Sequence, residues 1–337
     1  MKETRVALVG YGGIARAHNV GYSKLSQEGE PLKLVAVCDV NRSQFESALK
    51  INIDSGAATL PADIHTYTSV DDLLANEDFD VADICLPTYL HGEYTVKCLE
   101  AGKHVLCEKP MALSTEQCDR MIDAARRNDR KLMIGQCLRF HDSYRFLKAC
   151  IDDGRYGKLR HLTMERLCAM PRWGHEHWFE DTGRCGGCIL DMHVHDVDMA
   201  RFLLGEPDSA STVTLDRDIR WQFANTRLHY GDVPVFISAS WDEAATCNFK
   251  SGFRARLEKA TLITEKGGVT VYPDEGEPFK AASDNPYIAE EIRTFVHELR
   301  DGQKESDINP ASSARQSVKL IEVLRESAAK NGEIIKL

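Results

Sequence analysis

The sequence predicts an α/β protein, with a doubly wound parallel sheet in its N-terminal part and an α+β region with antiparallel strands behind it. Three observations point there. Short, nearly all-apolar runs alternate with helical patterns over residues 5–136, and continuous apolar strands belong to sheets covered on both faces. A glycine turn links the first of these strands to the first helix. Beyond Arg139 the rhythm changes to strand patterns punctuated by turn signals.

Taken in order, the strand runs of the first part are Arg5–Val9, Leu32–Cys38, Val81–Leu86, His104–Cys107 and Leu132–Gly135. Helical patterns lie between them. One covers Ser69–Leu74 and opens on an Asp-rich first turn; another covers Ser114–Asn128, where Ser114 and Gln117 have capping-box spacing. Ala101-Gly102-Lys103 reads as a helix stop before the fourth run, and Pro110 prevents that strand from continuing. The second part opens with a helix over Asp142–Asp153 and a turn over Gly154–Gly157. An irregular segment then spans Ala169–Arg184, followed by a helix from about Ile189 to Leu204. Ser209 to about Tyr272 reads as antiparallel strands, with turns at Tyr230-Gly231-Asp232 and Lys266-Gly267-Gly268. Helices near Tyr287–Arg300 and Pro310–Asn331 close the chain, and the apolar stripe of the last one (Val318, Ile321, Val323, Leu324) is core. With 337 residues, two domains are expected, over 1–137 and 138–337.

Composition is that of an ordinary globular protein, 43% hydrophobic and 28% charged. A net charge of −10 argues against a nucleic-acid partner, whose binding draws on clustered Lys and Arg. No stretch has the length of a membrane span, and the first residues lack an export signal. Eleven cysteines, an odd number scattered through strands and helices, suit a reducing compartment, so a cytoplasmic location is expected.

Gly10-Tyr11-Gly12-Gly13-Ile14-Ala15 is G-x-G-x-x-A in the strand-turn-helix context that dinucleotide binding requires. Gly10 permits the tight turn, Gly12 admits a pyrophosphate to the backbone, and small Ala15 lets helix and sheet pack closely. Asp39, at the exit of the second strand, is placed to bind ribose hydroxyls and to repel a 2′-phosphate, which favours NAD; Arg42 nearby leaves NADP open. Glu108-Lys109-Pro110 sets a lysine at a strand exit, where α/β enzymes keep their chemistry. Asp191 and His195 stand four apart on one expected helix, with Asp198 next along it; an imidazole oriented by a carboxylate can pass protons. Cys185-x-x-Cys188, His193 and His195 lie close in sequence, but the spacing is too crowded for a zinc site and His175-Glu176-His177 lacks the zinc-protease pattern, so no metal is expected.

Gly10 to Ala15, Asp39, Glu108-Lys109-Pro110 and Asp191 with His195, together with Pro87 and His91, Ala101-Gly102-Lys103-His104-Val105, Arg139-Phe140, Gly154 to Gly157 and Gly186-Gly187, resemble the glucose-fructose oxidoreductase, inositol dehydrogenase and rhizopine-catabolism (Gfo/Idh/MocA) family along the whole chain. The resemblance implies a nicotinamide-binding Rossmann domain and a C-terminal domain with an open, largely antiparallel sheet that often mediates oligomerisation. It implies hydride transfer at a hydroxyl carbon of a sugar, polyol or sugar derivative by a homo-dimer or homo-tetramer. It makes Lys109, Asp191 and His195 catalytic; whether Lys109 or His195 takes the proton stays open. Cofactor contacts are expected from Gly10, Gly12, Gly13, Ile14, Ala15, Asp39, Arg42, Pro87, His91, Glu108 and Lys109. Substrate contacts are expected from Arg139, Trp173, His177, Trp178 and His193. The implied Lys109–Pro110 bond is cis. Three features depart from the family pattern: Leu86-Pro87-Thr88 replaces a frequent Thr-Pro-Asn, His193 replaces a small residue, and Arg184-Cys185 replaces residues that are often small. Relatives that release a glycoside by transient oxidation with retained NAD, and non-catalytic NAD sensors, are the alternative readings.

Overall fold

A computed structural model of the chain describes residues 3–46, 60 and 63–337. In chain order the first part runs β1 (Thr4–Val9), α1 (Gly13–Gln27), β2 (Leu32–Cys38), β3 (His65–Tyr67), α2 (Val70–Asn76), β4 (Val81–Ile84), α3 (Thr88–Glu100), β5 (His104–Glu108), α4 (Thr115–Arg127) and β6 (Leu132–Gly135). These strands form one parallel sheet in the order β3-β2-β1-β4-β5-β6. The chain reverses direction of winding between β1 and β4, and a ligand crevice opens at the carboxyl ends of strands at such a switch. The strand cores Val6–Val9, Val81–Ile84 and Val105–Cys107 are buried throughout, as their unbroken apolar runs require.

Local capping explains the helix starts. Ser69 Oγ accepts from Asp72 N, and Ser114 Oγ accepts from Gln117 N at 3.3 Å. The return arm of the second cap reaches one residue further back than a capping box does: Gln117 Oε1 accepts from Leu113 N at 3.0 Å. The edge strand β3 was not expected from the sequence, and β4 ends at Ile84, short of the expected Leu86.

The second part continues α5 (Asp142–Asp153), β7 (Leu159–Leu167), α6 (Thr182–Cys185), α7 (Cys188–Asp191), α8 (Val194–Leu204), β8 (Ser209–Leu215), β9 (Phe223–Tyr230), β10 (Val233–Ser240), β11 (Lys250–Leu257), β12 (Ala260–Glu265), β13 (Gly268–Pro273) and β14 (Phe279–Ala282). The chain closes with α9 (Tyr287–Arg300), α10 (Ala311–Ala329) and β15 (Ile335–Lys336). The nine-stranded sheet has the order β14-β13-β12-β11-β7-β10-β9-β8-β15. β7 and β10 pair in parallel, and every other neighbouring pair is antiparallel.

Two compact units result: residues 1–137 with 286–315, and residues 138–285 with 316–337. The expected second domain over 138–337 is therefore interrupted, because 286–315 returns to the first unit. The physical cause is the apolar face of α9, which buries Ala289, Ile292, Phe295 and Val296. Gly21 of α1 leaves room for it: a Cβ there would sit 3.0 Å from Ile292 Cδ1.

The expected helix over Ile189–Leu204 is also corrected. It is broken into α7 and α8, and at the break His193 N bonds Cys188 O, five residues back, while His195 N bonds Met192 O, three back.

Candidate active site

In the first unit the glycine turn is built as its sequence demands. Gly10 has φ +89°, and a Cβ there would lie 2.6 Å from Cys85 O, so the exits of β1 and β4 approach too closely for any side chain. Gly10 N donates to Cys38 O at 2.7 Å, and Tyr11 N donates to Asp39 Oδ2 at 2.8 Å. A Cβ on Gly12 would meet nothing within 4 Å, so this side of the turn is open. Gly12 caps α1 without a side chain, and the first turn of this 15-residue helix carries no acidic group. Backbone N–H groups and the positive end of the helix dipole thus face the open side, which suits a pyrophosphate. Gly13 and Ala15 are buried and Ile14 is half-buried. Asp39 Oδ1 accepts from Asn41 N at 2.8 Å, so its carboxylate ties the turn together while each oxygen keeps a lone pair for a hydroxyl donor. Arg42 begins an exposed 3₁₀ turn just beyond.

Pro87 caps α3, which brings His91 beneath the strand exits. His91 is buried, with Nδ1 2.8 Å from Pro110 O and Nε2 2.7 Å from Leu86 O, and burial lowers its proton affinity. It spans the exits of β4 and β5 instead of presenting its ring to a ligand. Glu108 ends β5, Lys109 follows it half-exposed, and the Lys109–Pro110 bond is cis. Glu108 is 5% exposed; Oε2 accepts from Lys109 N at 3.0 Å and Oε1 meets His18 Nε2 at 3.0 Å.

In the second unit Gly186 and Gly187 have φ +79° and +74°, and a Cβ on Gly187 would lie 2.9 Å from Arg220 O. This turn delivers the chain to α7 and the α7–α8 break. From 191 to 200, only Asp191 and His195 keep solvent access; the other positions are buried. Asp191 and His195 lie on either side of the break, so they do not share one continuous helix face.

Their neighbours have structural roles. His193 is fully buried, with Nε2 2.7 Å from Thr226 Oγ1, and burial lowers its pKa to about 3. It is a neutral core imidazole, which corrects its expected contact with substrate. Arg139 is corrected likewise: it is 3% exposed and forks onto Asp198, Nε to Oδ2 at 2.8 Å and a terminal nitrogen to Oδ1 at 2.7 Å. Asp198 also accepts from Ser317 Oγ, so it belongs to this buried network and not to the Asp191–His195 surface. Trp173 is exposed and packs edge-on against Phe179, Trp178 stacks on Phe179 at 3.9 Å, and exposed His177 bonds Glu180. Glu176 and His177 have φ of +48° and +52°.

Cys185 and Cys188 are fully buried, and burial pushes the Cys185 thiol up to about 12 and Cys188 well above its usual value. Among the described residues, the groups of side chains close enough to share a metal ion contain neither cysteine and neither His193 nor His195. Those groups both include His18, in a buried cluster that motif reading missed. His18 Nδ1 lies 2.7 Å from Asp83 Oδ2, and Tyr22 OH donates to the same oxygen at 2.7 Å. The one sequence signal for it was Asp83 itself, a carboxylate inside the apolar run Val81–Ile84.

A family model described as an oxidoreductase family with an NAD-binding Rossmann fold matches residues 4–136, and one for the GFO/IDH/MocA C-terminal domain matches 144–276. Inositol 2-dehydrogenase of Rhizobium meliloti is 31% identical over 297 residues, 86% of this chain and 82% of the relative. D-glucoside 3-dehydrogenase of Escherichia coli is 34% identical over 211 residues, 60% of this chain and 54% of the relative. Among solved structures, a levoglucosan dehydrogenase in complex with NADH and L-sorbose superposes with a TM-score of 0.83 at 18% identity, covering 100% of this chain and 99% of that one.

Proposed function

We infer the substrate and the residue roles from one premise: the chain belongs to the Gfo/Idh/MocA oxidoreductase family and is an NAD-dependent oxidoreductase. The reaction we propose is hydride transfer at a hydroxyl carbon of a sugar, an inositol-like polyol or a sugar derivative. The names of its relatives, for an inositol and a D-glucoside, support that class. The observation that carries the reading is Lys109, fixed at the exit of β5 on the same sheet edge as the open glycine turn.

The open turn at Gly10–Ala15 holds the pyrophosphate through backbone N–H groups, and Asp39 accepts from ribose hydroxyls and disfavours a 2′-phosphate. Bound NAD supplies the hydride acceptor. Lys109 donates to the reacting hydroxyl and orients it, His195 takes its proton, and Asp191 orients His195; the first two roles are exchangeable. Trp173, His177 and Trp178 offer aromatic and imidazole surface for a sugar ring.

The protein works in the cytoplasm as a homo-oligomer in this reading. All eleven cysteines are free thiols, and no helix among the described residues is long and apolar enough to cross a membrane. One face of the large sheet exposes Val213, Leu215, Phe236 and Tyr272, an apolar surface suited to a second copy. Lys109→Met tests the assignment. NADH binding, read by fluorescence titration, is retained while turnover on an inositol or glycoside screen falls by about 100-fold or more. Unchanged turnover would sink it.

A further inference from the structure

Five buried polar side chains crowd the space behind Lys109, all within the first unit. His18 of α1 is 0% exposed and lies between two carboxylates, Asp83 of β4 and Glu108 of β5. Tyr22 donates to Asp83 from one turn further along α1. Glu291 of α9 is also 0% exposed, and neither of its oxygens has a hydrogen-bond partner among the described residues. One oxygen each of Glu108 and Glu291 and a ring nitrogen of His18 lie within 4.8 Å of one another. Gly135 makes room for them: a Cβ there would be 3.2 Å from Glu108 Oε1 and 3.3 Å from Glu291 Oε1.

We infer that Tyr22, Asp83, His18 and Glu108 form a positioning relay for Lys109, with Glu291 packed beside Glu108. The inference rests on the catalytic reading of Lys109. Each link is saturated in a way that fixes the next. An imidazolium at His18 donates from both nitrogens, one to Asp83 and one to Glu108, so the Glu108 carboxylate cannot rotate without leaving it. The other Glu108 oxygen accepts the Lys109 N–H, and His91 contacts the carbonyl of Pro110 on the far side of the lysine. The lysine backbone is thus held before and after its side chain, as a group that must meet a reacting hydroxyl requires.

Charge supports the same assignment. Burial disfavours the His18 cation, but the charge of Asp83 beside it holds its proton affinity well above the usual value. Burial would raise Glu108, yet the His18 hydrogen bond and the charges of His18 and Lys109 keep it low. Burial and the Glu108 charge together push Glu291 far up, so it keeps its proton. Facing Glu108 are therefore His18 from α1, Asp83 and Cys85 at β4, His91 from α3, Glu291 from α9, and Cys107 and Lys109 beside it. The array holds two anions, one cation and one neutral acid, and Lys109 brings the second cation.

Glu108→Gln tests the relay: its one amide oxygen can accept from Lys109 N or from the His18 imidazolium but not from both, so the substitution removes the charge and one link. We expect kcat to fall about 10- to 100-fold, the cost typical of losing a hydrogen-bond partner that orients a metal ligand, with KM little changed. The pH at half-maximal turnover should move down by about one unit, since one negative charge beside the ammonium is gone. A kcat and pH profile both unmoved in Glu108→Gln would overturn the relay, as would a uniform loss of activity with no shift of the profile. Should Glu108→Gln fail to bind NADH, Tyr22→Phe carries the test at the far end of the relay: kcat should fall with KM little changed, and a kcat equal to that of the wild type overturns the relay. Lys109→Met run in parallel separates the two claims. A fully active Lys109→Met overturns the role of the lysine, whereas an inactive Lys109→Met beside an unperturbed Glu108→Gln overturns the relay alone.

Discussion

His18 and His193 are both sealed from solvent, yet their proton affinities move in opposite directions. His18 sits between Asp83 and Glu108 and is held well above the usual value, whereas His193 meets only the Thr226 hydroxyl and falls to about 3. Burial acts on both in the same sense, against the cation. The carboxylates decide the outcome: around His18 they reverse it, and around His193 nothing charged opposes it. A buried histidine therefore reports its neighbours' charge more than its depth. Here the charged one backs Lys109, and the neutral one props the α7–α8 break beneath Asp191 and His195.

Removing the His18 cation should have the largest effect. His18→Leu leaves Asp83 and Glu108 buried without their shared partner, a loss that costs about 3 to 5 kcal/mol in comparable buried pairs. Urea unfolding at pH 7 reads it. The sign of the pH dependence follows from the raised folded-state value. The stabilisation is fully present below about pH 6.5, the unfolded value, and erodes as the pH rises toward the folded one. Wild type should lose stability from neutral to alkaline pH and His18→Leu should lose less. Equal alkaline slopes would mean that His18 is not charged.

His193 gives the mirror image and a smaller effect. Its folded-state value is depressed to about 3, so the unfolded chain binds a proton first and stability falls as the pH drops below about 6.5. Between about pH 7 and pH 5 this amounts to about 2 kcal/mol. His193→Gln, which can keep a bond to Thr226, should remove that part of the acid slope in thermal or urea unfolding. An unchanged acid slope would place the proton elsewhere.

What was legible in the sequence, and what was not, divides along the same line. The glycine turn, Asp39 and the exit of β5 were readable because each is a backbone requirement written at a fixed local offset: a positive φ at Gly10, an acceptor for Tyr11 N, a proline that stops β5. The His18 cluster was not, because its members come from α1, β4, β5 and α9, and only the fold brings them together. Asp83 in an all-apolar strand was the single hint, since a carboxylate buried on both sides of a sheet needs a partner. Arg139 and His193 were misread for a related reason. Both adjoin recognisable motifs, but a neighbour in sequence is not a neighbour in the site, and burial turned each toward the core. The break between α7 and α8 hangs on the Cys188 carbonyl bonding His193 N, which no 3.6-residue periodicity anticipates.

Loss of the Tyr22 phenol is the mildest change that reaches His18. Tyr22→Phe removes one phenol donor from Asp83 and leaves His18 in place, and the Cys85 thiol still approaches the other Asp83 oxygen at 3.6 Å. Losing a buried donor to a charged acceptor costs about 1 to 3 kcal/mol, below the loss expected for His18→Leu. The alkaline slope should survive, because the imidazolium that produces it is still flanked by two carboxylates. If the slope disappears with the phenol, then Tyr22 and not the carboxylate pair sustains the charge on His18, and the contrast with His193 rests on hydrogen bonding instead of charge. Urea unfolding of wild type and Tyr22→Phe at pH 7 and pH 9 separates the two, since only the charge-based account keeps the pH 9 deficit while lowering stability at both values.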